Sequence, residues 1–338
     1  MEAITQNKAY YPWIDHAKSL GILLMVVGHV WTVDPAVRQV IYSFHMPLFF
    51  VISGFLYRQL SLSEHLVRDW RRLLVPYLLI NIVCMLIRLA GEAFGDPYYD
   101  LIGHLIAKSK AILTGVSLPI HGMEPVCGPS WFILAIFLLH LLFCLCPKEG
   151  KKRHLFMGLV SAAAILTTVL LRRNGIDIIG PADAAIMAVP FFCAGLWMRE
   201  LNWERLQSGI LIAMLLGSAL MVALLNGTNG PVDMNVLNYG HNIFLFYFAA
   251  IFGTLGAFCL CQLVGKLHWK ALDGFARTMS VGTIPIVGFH RFGILAAEQL
   301  GLTGPTESIL VAVAIWLAFF PIILLCQKWF PAILGYRK

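Results

Sequence analysis

Apolar runs bounded by Gly, Pro, Asn or charge recur along the chain near 13–32, 40–57, 73–94, 129–146, 155–171, 184–198, 208–225, 241–264, 279–300 and 308–327. A membrane-crossing helix needs about 20 mainly apolar residues, so this pattern predicts an all-α, polytopic integral membrane helix bundle with about ten transmembrane helices. Segment 98–120 is interrupted by Asp100, His104, Lys108 and Lys110. It reads as an amphipathic surface helix or an eleventh span. Composition narrows the class: 59% hydrophobic and 13% charged residues over 338 positions exceed what a water-facing surface tolerates. The first run carries Asp15, Lys18 and His29 and lacks the layout of a cleaved leader, so it is read as a retained helix.

The net charge of +7 would suggest a nucleic-acid partner if it lay on one face. It is instead distributed by topology. With ten spans and both termini cytoplasmic, Arg38, Lys108, Lys110, Arg172 and Arg173 face outward and Lys18, Arg88 and Arg291 lie within helices. All other Lys and Arg, including Lys8, Arg337 and Lys338, then face inward, whereas an eleventh span at 98–120 would reverse the bias. The basic residues therefore favour ten spans, a lipid bilayer as surroundings and no nucleic acid. Eight cysteines occur without a C-x-x-C pair, which supports neither a disulfide framework nor a metal site.

Polar residues inside apolar runs carry the chemistry, because a charge near mid-membrane costs at least ~2.5 kcal/mol unless paired or hydrated. Lys18 and His29 are eleven residues apart and return to within ~20° on a helix, with Asp15 ~40° to the other side. This stripe places Lys18 near the inner mouth and His29 toward the outer leaflet. His45 opens the second run and is expected at the depth of His29, where two imidazoles could meet and a neutral one could take a proton from a hydroxyl. Arg68, Arg71 and Arg72 in RDWRRLLVPY suit phosphates, although basic clusters with Trp70 and Tyr77 are also ordinary membrane anchors. Ser130 and Trp131 in VCGPSWFI offer a hydroxyl and a flat face to a sugar ring. His290 and Arg291 sit within the ninth run, with Glu298 two turns on as a candidate partner. A polar passage from the arginine-rich mouth to His29 is expected.

Together the Asp15-to-Lys18-to-His29 pattern, FHMPLFFVISGFL, RDWRRLLVPY, PSWF and the late helix with His290 resemble the membrane-bound acyltransferase 3 family. FHMPLFFVISG is similar to the sugar O-acetylase branch related to fucose 4-O-acetylases. The resemblance implies one transmembrane acyltransferase domain over 1–338, without the C-terminal esterase-like domain of many members, in the bacterial inner membrane. It implies transfer of acetyl from cytoplasmic acetyl-CoA, with no metal, to a hydroxyl of a carbohydrate or glycolipid acceptor. The family's essential His maps to His29, and its Arg-x-x-Arg pair maps to Arg68 and Arg71. The basic residue eleven positions before the His is usually Arg and is Lys18 here, which removes a bidentate contact. On this reading His29 acts as base or acyl acceptor, helped by Asp15, and Lys18, Arg68, Arg71 and Arg72 hold the donor. His45, Ser130 and Trp131 are candidates for stabilising the oxyanion, and Ser130, Trp131, His290 and Arg291 for holding the acceptor. A secondary transporter or flippase using the Asp, Lys and His residues as a relay is the rival reading, and a glycan polymerase or ligase a more distant one.

Overall fold

The structure, a computed structural model, describes residues 10–335 apart from Trp31, Pro97, Ile179, Asn202 and Thr303. Lys8, Arg337 and Lys338, used in the topology count, lie outside the described residues. Thirteen α-helices run through the described chain: α1 Pro12–His29, α2 Pro35–Leu56, α3 Leu62–Asp69, α4 Val75–Gly95, α5 Leu101–Thr114, α6 Trp131–Phe143, α7 Gly150–Arg173, α8 Ala182–Met198, α9 Ser208–Asn229, α10 Ile243–Gly265, α11 Lys270–Val281, α12 Thr283–Gln299 and α13 Pro305–Trp329. A π-helical turn, Trp70–Leu74, joins α3 to α4. No strand occurs among the described residues beyond two isolated bridges.

Local sequence explains the helix starts. The Asp34 carboxylate accepts from the backbone N–H groups of Ala36 and Val37 ahead of Pro35. Ser61 and Glu64 form a reciprocal capping box on α3. Asp100 caps α5, which ends on Gly115 in the left-handed conformation.

All ten apolar runs are helical. Length and composition qualify six helices as membrane-crossing, or seven if α11 and α12 form one bent span, so ten crossings is the expectation of the hydropathy and not an established count. Two expectations change. The run 279–300 is not one helix: α11 and α12 meet at an 81° bend at Gly282, and His290 stands on α12. The segment 98–120 forms α5, whose 14 residues extend ~21 Å, short of the ~30 Å hydrocarbon thickness, which fits the surface reading.

Burial separates central from peripheral helices. The apolar windows of α2 and α10 are 61% buried, whereas those of α7 and α9 are 17% buried and show rows of leucine such as Leu216, Leu220 and Leu224. Where water is replaced by lipid, the periphery gains nothing from being polar. The centre depends on close backbone approach between α2 and α8. A β-carbon on Gly54 would collide with the carbonyl oxygen of Phe192, and one on Gly195 with that of Val51.

Gly195→Ala is therefore expected to lower the thermal unfolding midpoint in detergent, by the equivalent of about 1–3 kcal/mol for overpacking. Gly91→Ala on α4, which faces open space, is expected to leave the midpoint unchanged or raise it slightly.

Candidate active site

The last residue of α1, His29, opens into a cavity of about 490 Å³ walled by α1, α2, α4, α6, α12 and the loops that precede α6 and α10, at the end of the bundle that the basic residues lead one to expect outside. Helical spacing on three different elements brings three imidazoles to this space. His29 and His290 lie with ring centroids 5.0 Å apart. Tyr42, 6.3 Å from His29 and 5.1 Å from His45, joins the third. His45 and His290 are 3% and 1% exposed, so each needs an internal partner for its N–H.

Those partners set the tautomers. His45 Nδ1 lies 2.9 Å from the carbonyl oxygen of Ile41, and His290 Nδ1 lies 2.9 Å from that of Ile286. A carbonyl can only accept, so both rings carry their proton on Nδ1 when neutral and leave Nε2 as a lone-pair acceptor. His29 Nδ1 stands 2.9 Å from Met25 Sδ, a weak acceptor, and no described residue bonds its Nε2. The site thus presents acceptor nitrogens, fit to receive hydroxyl protons. His45 in this tautomer is not an oxyanion donor.

The remaining wall supplies donors and a flat face. Arg88, Arg291, Trp131, Asp233 and Asn235 all line the cavity. Asp233 is in the outer loop, where burial holds its carboxyl above the usual carboxylate range. Its Oδ1 accepts from the Asn235 backbone N–H at 2.9 Å. Ser117 Oγ donates to Asn235 Oδ1 at 2.6 Å and ties the two outer loops together over the cavity. Cys84 and Cys127 also line it, each donating to the backbone of α12.

Inward, the wall ends at Ile22, Phe49 and Phe132, with the two phenylalanine rings 5.9 Å apart. The expected open passage is corrected here: Lys18, Arg68, Arg71 and Arg72 do not line the cavity, whose lining on α1, α2 and α6 stops at Ile22, Phe49 and Phe132. Beyond the layer lies a second polar centre, in which His65, Asp69 and His140 offer ligand atoms within 4.8 Å of one another. Arg68 Nη2 stands among them, 2.7 Å from His65 Nδ1 and 3.2 Å from His140 Nδ1, so a guanidinium fills the position that a metal ion would take.

Of the residues singled out from sequence, His29, His45, Trp131, His290 and Arg291 share the cavity. Ser130 is a correction. It is 4% exposed, donates to the Cys127 carbonyl at 2.7 Å and accepts from Asn81 Nδ2 at 3.2 Å, so packing against α4 consumes its hydroxyl and turns it off the wall. Asp15 is held at the other end of α1 by the hydroxyls of Tyr10 and Ser280, at 2.6 and 2.7 Å, and does not reach His29. Arg71 and Arg72 are exposed. Glu298 lines a separate cavity with Val30 and Thr32. Sequence reading missed Tyr42, Arg88, Asp233 and Asn235. It also missed His140, although a lone imidazole in WFILAIFLLHLLF was a visible signal.

The outer loop before α6 is braced from α5. Lys108, 2% exposed, donates to Glu92 at 2.9 Å and Glu124 at 2.6 Å, and His104 lies 2.7 Å from Glu124. Burial opposes both charges, yet the partners prevail: Lys108 is raised above the usual lysine range by Glu124 and Glu92, and Glu124 is held below the usual carboxylate range by Lys108 and His104.

The family model of an acyltransferase domain, acyltransferase 3, matches residues 11–333. Nodulation protein NolL of Mesorhizobium japonicum is 25% identical over 211 residues, covering 56% of this chain. The chain spans about half of that relative, 48% of its length. No solved structure matches.

The brace has a defined pH window. A depressed Glu124 contributes stability above the unfolded Glu range and loses it as pH falls through the folded value. A raised Lys108 contributes below the unfolded Lys range and loses it as pH climbs through the folded value. The network is therefore complete between about pH 5 and pH 10. Glu124→Gln is expected to lower the thermal midpoint inside that window and to flatten its decline between pH 6 and pH 4. An unchanged pH profile would show that the brace adds nothing.

Proposed function

Because the chain belongs to the acyltransferase 3 family and is a multi-pass membrane O-acyltransferase, we propose that it moves acetyl from cytoplasmic acetyl-CoA to a hydroxyl of an exported or surface carbohydrate. The observation that carries the reading is the convergence of His29, His45 and His290, with Trp131, on one outer cavity. A sugar needs a flat apolar surface for its ring and several acceptors and donors for its hydroxyls. Trp131, the two fixed imidazoles, Asp233 and Asn235 meet that need.

In this mechanism His29 Nε2 takes the proton of the acceptor hydroxyl as the oxygen attacks the thioester carbonyl. Its neighbours are already anchored to helix carbonyls, so they need no rearrangement. The tetrahedral intermediate collapses with loss of coenzyme A thiolate, which takes up a proton, and the carbohydrate leaves as its acetyl ester. Arg291 on the wall is placed to balance the developing oxyanion. The donor's phosphates stay on the inner side near Arg68 and Arg71. Its pantetheine arm reaches the cavity when Phe49 and Phe132 part. Acyl transfer and not transport is the natural use of such a site, since the family is enzymatic.

The test is radiolabelled acetyl transfer by purified protein in lipid, with surface glycan as acceptor. His29→Ala is expected to reduce the rate by about 10²–10⁴-fold, the usual contribution of a general base, with the fold intact. Near-normal transfer by that variant would remove His29 from the chemistry. Flux of glycan without any acetylated product would reject the enzyme reading in favour of transport.

A further inference from the structure

The inner polar centre is too ordered to be a simple anchor of charge. Asp69 is 1% exposed, and both of its oxygens are engaged. Oδ1 accepts from Arg68 Nε at 2.8 Å, and Oδ2 accepts from His140 Nδ1 at 2.9 Å and from Arg68 Nη2 at 3.3 Å. Since His140 gives its Nδ1 proton to Asp69, its Nε2 is the acceptor for Ser53 Oγ at 3.2 Å, which links α6 to α2. His65 is fully buried, stacked on Tyr57 at 5.2 Å, and takes an N–H of Arg68 on Nδ1 at 2.7 Å, because a guanidinium cannot accept.

These contacts consume one edge of the Arg68 guanidinium, Nε and Nη2. The Nη1 edge makes no hydrogen bond to a described residue, and the side chain is 21% exposed. Arg71 stands three residues later, exposed, in the π-helical turn Trp70–Leu74. A buried carboxylate aims a guanidinium best when both are locked by third parties, as here by His140 and His65. The same locking removes the rotamer freedom that a flexible arginine would lose on binding an anion.

We infer that Asp69, backed by His140 and His65, is a positioning residue that holds Arg68 so that its open edge and Arg71 clamp the phosphates of the donor nucleotide. The inference rests on the reading of acetyl-CoA as donor and adds three residues to it. Asp69 touches no substrate. Its effect passes through Arg68, so it matters only for a donor that has phosphates to hold.

Two donors separate this role from a structural staple. S-acetyl-pantetheine has the thioester of acetyl-CoA and none of its phosphates. Steady-state kinetics on full-length protein in lipid nanodiscs should show Asp69→Asn raising the KM for acetyl-CoA about tenfold with kcat changed less than about twofold, as expected for a weakened charge-assisted contact. The KM for S-acetyl-pantetheine should be unchanged. Arg68→Ala should show the same selectivity, and the double substitution should be no worse than Arg68→Ala alone, because the two act as one unit. If Asp69→Asn does not fold, His140→Ala removes the outer support only, and a smaller loss confined to acetyl-CoA is expected. Equal losses on both donors, or no loss on either, would overturn the positioning role. Stoichiometric zinc in the purified protein that disappears in Asp69→Asn would also overturn it, making the centre a metal site. Wild-type protein that uses neither donor rejects the acetyl-CoA reading itself, whereas an active wild type matched by an unaltered Asp69→Asn rejects only the positioning.

Discussion

A polar side chain at membrane depth has no water to fall back on, so it must be bonded within the protein or open onto a wet space. That constraint organises this bundle. The rows of leucine on α7 and α9 meet lipid, while imidazoles, carboxylates and guanidiniums turn inward and find partners. His45 and His290 satisfy it with carbonyls of their own helices, one turn back, and this leaves a reactive nitrogen pointing elsewhere. The same bond that makes each ring tolerable in the interior decides what it can do.

Polarity collects in two places with an aromatic layer between. The outer cavity gathers acceptor nitrogens, and the inner centre fixes a cation beside a buried carboxylate. Phe49 and Phe132 separate them, and helices α2 and α6 pass through both, carrying His45 with Ser53 and Trp131 with His140. A shift of α2 against α6 would be felt in both places at once.

Much of the outer site was legible in the sequence, because an ionisable residue in an apolar run stands out against its neighbours. His29, His45, His290 and Arg291 were visible for that reason. Ser130 was not, since a small hydroxyl beside an interfacial Trp looks the same whether it faces a cavity or a neighbouring helix. Asp233 and Asn235 carried no signal, being ordinary loop residues a long way along the chain from every histidine of the site. Asp69 was hidden by its company: beside Arg68, Arg71 and Arg72 it looks like part of a solvated charge cluster, yet it is among the most buried polar residues.

Sequence alone determined the features that the surrounding solvent imposes. The all-helical class and the positions of the apolar helices come from the length and composition of runs, which the bilayer thickness selects directly. The fold decided what depends on distances between helices that no local pattern encodes. It broke the ninth run at Gly282, brought α12 against the end of α1 so that His290 meets His29, and drew α3 against α6 so that His140 locks Asp69, which in turn holds Arg68. Hydropathy specifies which segments enter the membrane, whereas the partners of a polar group are chosen by packing, because only packing determines which acceptor lies within reach.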